Sequence, residues 1–287
     1  MGYSIITDSG CDIKREVLES WGVDMLSLTF RFTDAEAQYT EADMPIDEFY
    51  NAMRAGRVAK TSAVNTETFR QAFEAHLKAG EDVLYLGFSS GLSSTYSAGH
   101  AAAEILAKDY PDRKIITVDT LAASAGFGML VYLAVEKKKA GASIEELAEY
   151  VEGLKLNLSH WFTVDDLVYL KRGGRVSAAA AFFGNMLGIK PVLHVDDEGH
   201  LTPMAKVRGR RTALNAIVDK YAETALDVKA GPIFISHAQC SADVDYIVAE
   251  LDRRFGVKVD HITDIGPVIG SHAGPGTLAF FFLAKER

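Results

Sequence analysis

Residues 83–96 read Val83-Leu84-Tyr85-Leu86-Gly87-Phe88 and then Ser89-Ser90-Gly91-Leu92-Ser93-Ser94-Thr95-Tyr96. A short β-rich run ends in small polar residues, and from residue 93 to 108 the spacing of apolar positions turns helical. The same grammar occurs at 3–6 followed by 13–21, and at 115–118 followed by 122–139. Strands alternating with helices predict a parallel sheet of the α/β class. Each strand exits into hydroxyls or carboxylates, namely Thr7-Asp8-Ser9, Ser89-Ser90 and Asp119-Thr120. Open α/β sheets bind ligands just beyond such strand ends, so one edge of this first half is expected to be polar.

Further along, Gly141-Ala142-Ser143 starts a helix through Leu154, and the segment near residues 157–159 is the best linker. Two domains are expected, 1–158 and 159–287. The second reads as a strand at 161–164, a helix into Lys171, and an apolar helix after Ser177. A hairpin over 190–207 turns at Asp197-Glu198-Gly199. Helix 211–225, strand 233–236, helix 242–255 and strand 258–262 follow. Gly266, Gly270, Gly274 and Gly276 around Ser271-His272 read as a polar loop through which backbone approaches a ligand closely, or as a loop needing positive φ. An aromatic strand over 277–283 follows it.

Composition narrows the function. The 287 residues and 48% hydrophobic content suffice for two cores. A net charge of −9 argues against nucleic acid and leaves at most transient contact with an anionic membrane. Cys11 and Cys240 lack metal-ligand spacing and fit reduced thiols in a cytoplasmic protein. The N-terminus has no basic segment followed by an apolar stretch and does not read as a signal peptide. No apolar run approaches the roughly 20 residues of a membrane span.

Several motifs, taken in order, resemble the DegV family of bacterial fatty-acid-binding proteins over essentially the whole length. They are Thr7-Asp8-Ser9, Thr61-Ser62, Ser89-Ser90-Gly91-Leu92-Ser93-Ser94-Thr95-Tyr96 and Asp119-Thr120. Then come Leu170-Lys171-Arg172-Gly173-Gly174-Arg175-Val176, Gly188-Ile189-Lys190-Pro191 and Gly270-Ser271-His272-Ala273-Gly274-Pro275-Gly276. The resemblance implies two α/β domains with a lipid-binding tunnel between and within them. It also implies a long-chain fatty acid as ligand rather than a cofactor, and a partner acyl kinase that phosphorylates the bound carboxylate.

A buried carboxylate is costly unless donors surround it. Ser93-Ser94-Thr95 sits where a strand-to-helix turn presents hydroxyls and free amides, although ordinary N-capping by Ser93 or Ser94 explains the pattern too. By resemblance the carboxylate site comprises Thr61, Ser62, Ser93, Ser94, His272 and Gly274. Thr61 hydrogen-bonds one oxygen, Ser62 supplies an amide, and His272 donates or orients a hydroxyl. The small-residue segment Ala178-Ala179-Ala180-Ala181-Phe182-Phe183 leaves volume for an acyl chain, and Phe182, Met186, Leu187 and Ile189 are expected to line the tunnel; a plain core helix is the alternative. Lys171, Arg172, Arg175, Arg208 and Arg211 are basic residues in an acidic chain and are expected to dock the kinase. Asp8 and Asp119 suit bonds to their own loops better than a ligand, and no metal is expected.

Two other classes compete. Ser93, His272 and Asp119 supply the residue types of a serine hydrolase, but Ser93 lies outside a Gly-x-Ser-x-Gly elbow. A nucleotide-binding protein is disfavoured because neither a Walker A nor a Gly-x-Gly-x-x-Gly turn follows the first strand.

Overall fold

The computed structural model describes residues 2–176 and 188–287. The chain opens with β1 (Tyr3–Asp8), a single tight turn over Ser9–Cys11, α1 (Arg15–Ser20) and β2 (Val23–Leu26). An excursion follows through β3 (Thr29–Phe32), α2 (Ile46–Arg54) and β4 (Ala59–Ser62). The chain then returns as α3 (Thr66–Lys78), β5 (Asp82–Gly87), α4 (Thr95–Asp109), β6 (Ile115–Asp119), α5 (Ser124–Lys139) and α6 (Ile144–Leu154). Helix starts follow local chemistry. Asn65 accepts the Thr68 amide at 2.9 Å, and Ser143 and Glu146 exchange bonds in a capping box.

Strands β2-β1-β5-β6 form a parallel sheet in that order, as the alternation of strands and helices predicts. The pair β3-β4 is a separate antiparallel ribbon, absent from the sequence reading.

The second half holds β7 (Leu158–Thr163), α7 (Val168–Gly173), β8 (Ile189–Val195), β9 (Leu201–Arg208), α8 (Arg210–Thr224) and β10 (Ile233–His237). It closes with α9 (Ser241–Phe255), β11 (His261–Asp264), α10 (Pro267–Ala273) and β12 (Leu278–Leu283). Its sheet runs β11-β10-β12-β7-β8-β9, parallel only between β10 and β11. The architecture is two α/β domains, as expected.

Three details differ from the sequence reading. The supposed linker at 157–159 is the start of β7, where Leu158 and Ser159 are buried and pair with β12. The last parallel strand lies at His261–Asp264, shifted toward the C-terminus from the 258–262 window and sharing only residues 261 and 262 with it. The glycine-rich segment around His272 is a helix, begun by Gly266 with Pro267 in its first turn, the position where proline's fixed φ suits a helix.

Strand β12 shows how the sheet serves two cores. Leu278, Phe280 and Phe282 face the cluster formed with α8 and α9, whereas Ala279 and Phe281 face the opposite cluster, as the two-residue period of a strand requires. Helix α5 belongs to that second cluster. Its residues from Ser124 to Val131 are all buried, as befits a helix apolar on every side. It lies on the six-stranded sheet, and a Cβ at Gly126 would come within 2.5 Å of Phe281 and 2.7 Å of His160 Nε2. The β8–β9 hairpin tip joins the halves from the other side, where Ser89 Oγ donates to the Gly199 carbonyl at 2.9 Å.

Replacing Gly126 by Ala is therefore expected to destabilise the protein by about 1–3 kcal/mol through overpacking against two rigid rings. Urea unfolding checks this, and an unchanged midpoint would show that α5 can back away.

Candidate functional site

Between the two sheets lies a cavity of about 240 Å³. Its walls are mainly apolar: Phe162, Ala279 and Phe281 from the six-stranded sheet, Val268 and Ile269 from α10, Leu170 from α7, and Leu28 and Phe88 from the first half. Polar side chains interrupt this lining at Thr61, Ser93, Ser94, Ser124, His160, Arg175, His272 and Thr277.

Four of these polar residues form a connected group. His272 Nε2 lies 2.8 Å from Thr61 Oγ1. Arg175 is close enough for its charge to depress the His272 pKa, and its Nε donates to the Leu92 carbonyl at 3.1 Å, next to Ser93. The Ser93 hydroxyl lies 2.9 Å from Thr95 Oγ1 and accepts the Thr95 amide at 3.2 Å. Ser94 occupies the N-cap of α4, but its side chain makes no capping bond. Gly173 matters by what it lacks: a Cβ there would fall 2.3 Å from His272 Nδ1.

Burial, and secondarily the charge of Arg175, push the His272 pKa down to about 4, so the ring is neutral near pH 7. Nδ1 is buried without a hydrogen-bond partner. A proton on Nε2 leaves Nδ1 a bare lone pair, whereas the other tautomer buries an orphan N–H, the costlier defect. The Nε2–H tautomer donates to Thr61 Oγ1 and turns the Thr61 hydroxyl outward as a donor.

Other expected site residues are not brought to the cavity. Thr61 and Ala63 line it, while Ser62 between them points to the opposite, exposed side, again by strand alternation. Gly274 caps α10 at φ 82° with its amide on the Gly270 carbonyl at 2.8 Å, and its α-carbon faces the Tyr169 ring. Ile189 pairs with Arg208 in the β8–β9 ladder and is not a lining residue. Phe182, Met186 and Leu187, with the rest of the small-residue segment, lie outside the described residues.

The basic residues divide. Lys171 and Arg172 end α7 beside Gly173, and Arg172 sits over the Tyr169 ring. Arg175 lines the cavity itself. Val176 bridges Leu201 at one end of β9 and Arg208 stands at the other, about 23 Å away at ~3.3 Å per residue. Arg211 lies 3.5 Å from the Tyr246 ring centre. Its neighbour Arg210 pairs with Asp243 at 2.9 Å and donates to the Gly276 carbonyl at 2.7 Å, which explains an arginine at a helix N-terminus without a partner protein.

The hydrolase constellation is not assembled. Ser93 bonds to Thr95, His272 to Thr61, and Asp119 accepts the Ser90 and Leu121 amides at 3.2 Å each. No three His, Cys, Asp or Glu side chains cluster as a metal site among the described residues.

The family model for uncharacterised proteins of the DegV family matches residues 3–285. The chain belongs to the DegV family. A DegV domain-containing protein of Clostridium perfringens is 41% identical over 99% of this chain and 98% of its own. A structure described as fatty acid binding of a DegV family protein from Thermus thermophilus superposes with a TM-score of 0.89 at 30% identity, covering 99% of this chain and all of that one. A stearic acid-binding protein of Eubacterium ventriosum gives 0.87 at 26% identity over 99% and 98%. No helix among the described residues is long and apolar enough to cross a membrane.

Sequence reasoning placed Arg175 at a docking surface and passed over Ser124, His160 and Phe281 as lining residues. The alternation of Leu278–Leu283 was the available signal for Phe281. His160 and Ser124 had none, because only the packing of α5 on the sheet brings them there.

The depressed His272 pKa has a measurable consequence. In the unfolded chain the imidazole titrates near 6.5, so between pH 6.5 and 4 the unfolded state binds more protons and stability falls as pH falls. His272→Gln is expected to remove roughly 1–3 kcal/mol of that decline. Chemical denaturation at several pH values tests it, and an unchanged slope would assign the decline to other groups.

Proposed function

We propose that this protein binds a long-chain fatty acid in the interdomain cavity and presents its carboxylate to a partner acyl kinase. The observation that carries the reading is the Thr61–His272 pair in the wall of a mainly apolar chamber. Neutral His272 orients the Thr61 hydroxyl, and Ser93 adds a second hydroxyl on the strand-to-helix turn. An anion in such a place requires donors, and these are hydroxyl donors fixed by neighbours rather than a titrating cation. The solved relatives named above are described as binding fatty acids, which supports the same ligand class here.

The acyl chain supplies the affinity. Burying about fifteen methylenes at ~0.8 kcal/mol each gives a gross gain of roughly 12 kcal/mol, much reduced by ordering of chain and ligand. The hydroxyls then set which end faces outward. In this reading the protein is a carrier and the phosphoryl chemistry belongs to the kinase. Lys171 and Arg172 suit the docking surface, since they flank Gly173 against His272, whereas Arg208 and Arg211 lie at the far end of β9 and would serve a separate contact.

A fatty acid of about sixteen to eighteen carbons, a length whose burial dominates affinity, is expected to copurify near stoichiometrically, as read by mass spectrometry of the extracted lipid. Recovery of none, with no uptake of added fatty acids, would falsify the carrier reading. Thr61→Ala and Ser93→Ala should each weaken binding by about 0.5–2 kcal/mol, measured by displacement of a fluorescent fatty acid. Arg172→Ala should leave lipid affinity intact while slowing kinase association, most of all at low salt. Association in that variant as fast and as salt-sensitive as in the parent would move the docking surface away from α7.

A further inference from the structure

Outside the polar group just described, one buried side chain touches both walls of the cavity from behind. Asp12, 7% exposed, stands just past β1 with a left-handed φ of 51°. Its Oδ1 accepts the Gly266 amide at 2.9 Å, at the start of α10. Its Oδ2 accepts the Ser124 hydroxyl at 2.5 Å, at the start of α5, and that hydroxyl also lies 2.8 Å from Ser236 Oγ in β10. The Asp12 carbonyl accepts Thr263 Oγ1 at 2.8 Å, from β11. Gly266 has no room for a side chain, because a Cβ would meet Oδ1 at 2.7 Å.

Ser124 is itself a cavity wall residue, and α10 contributes Val268, Ile269, His272 and Ala273 to the same wall. His272 lies six residues beyond Gly266, about 9 Å along the helix at ~1.5 Å per residue. We propose that Asp12 is a positioning residue of the ligand site, tying the helix that carries His272 to the helix that carries Ser124, so that its ionisation sets how firmly the ligand is held. The proposal rests on the fatty-acid reading above.

The ionised carboxylate accepts from both donors at once, and such charge-assisted bonds are roughly twice as strong as neutral ones. A negative charge at the start of α10 also suits the helix dipole. Protonation turns one oxygen into a donor and weakens the hold on Gly266. Burial raises the Asp12 pKa to about 7; the Ser124 and Gly266 bonds lower it, and the Asp264 charge adds to the rise. The change of state thus falls near neutrality.

The other groups around Asp12 are accounted for. Asp264 faces it from β11 and has His237 at 3.8 Å. Tyr50 from α2 and the adjacent Cys11 feel its charge, and burial raises both well out of the neutral range. Lys14, Arg15, Glu16 and Glu41 share a second cleft with Asp12, and Arg15 pairs with Glu41 at 2.6 Å. Of the groups near the ligand site, Asp8 is raised by burial to about 6 and His272 is lowered to about 4; Asp12→Asn leaves both in place, so loss of the step in that variant separates Asp12 from them.

The test measures release of cis-parinaric acid from the full chain between pH 8 and 6, with Asp12→Asn beside the parent. Release from the parent should quicken about fivefold as pH falls, the scale of exchanging charge-assisted for neutral bonds. The variant, neutral throughout, should release at the fast rate at every pH. Because a raised carboxyl pKa makes the folded state less stable as pH rises from about 4 to about 7, Asp12→Asn should melt no lower than the parent at pH 8; a merely structural role predicts a lower melting temperature. A parent with a flat profile, which needs no variant to see, or a variant that keeps the step overturns the proposal. A parent that binds no parinaric acid at pH 8 overturns the fatty-acid reading first and this one with it.

Discussion

Helix α5 lies against the six-stranded sheet at the distance a bare α-carbon allows, with Gly126 facing Phe281 and His160, and Gly128 facing Ile13 and the Cys11 carbonyl. That approach fixes the spacing between the halves. With α5 seated, the strand ends of the first sheet look toward the inner face of the second, and the space left beside the start of α5 is the cavity. A larger side chain at either glycine would separate the layers and change the width of the chamber. The site is therefore a by-product of close packing, dressed with hydroxyls where the strand ends happen to face it.

Two carboxylates, Asp8 buried and Asp119 half-buried, organise those strand ends. Asp8 accepts from Tyr85 Oη at 2.8 Å and from the Phe88 and Gly10 amides at 3.0 Å, which locks the exit of β1 to the exit of β5. Asp119 does the same for β6 through Ser90 and Leu121. Removing Asp8 from water is costly, and its donors offset the cost because both of its oxygens are satisfied. The loops that carry Phe88, Ser93 and Ser94 are thereby rigid before any ligand arrives, so little ordering remains to be done on binding.

The parallel sheet was legible because β1, β5 and β6 are continuous apolar runs closed by polar residues, and α6 because Ser143 and Glu146 carry a capping box. The ribbon β3-β4 was not: Thr29–Phe32 and Ala59–Ser62 are four residues each, too short for a period to stand out. Helix α10 was hidden by Gly266, Gly270 and Gly274, residues that usually mark loops. Gly270 is there because Tyr50 and Phe49 press on its α-carbon, a tertiary reason invisible locally, and Pro267 was the overlooked sign of a helix start. Within the site, the motifs drew attention to Thr61, Ser93 and His272, which line the cavity, and to Ser62 and Gly274, which are not among its lining residues, since a motif marks a stretch of chain and not which side chains face inward. That the cationic loops lie at opposite ends of β9 is a matter of topology, beyond the reach of composition.

Strand β12 comes last in chain order yet lies between β10 and β7. During synthesis, β7 and β10 must wait with open hydrogen-bonding edges, and α5 with an uncovered apolar face, until Phe280, Phe281 and Phe282 arrive to close the sheet. Exposed edges of this kind are templates for pairing with another chain, and contacts so distant in sequence form slowly. Assembly is thus most vulnerable to aggregation in its final step, and a nascent chain stalled before residue 278 would carry the first sheet complete, the second split in two, and the chamber without its floor.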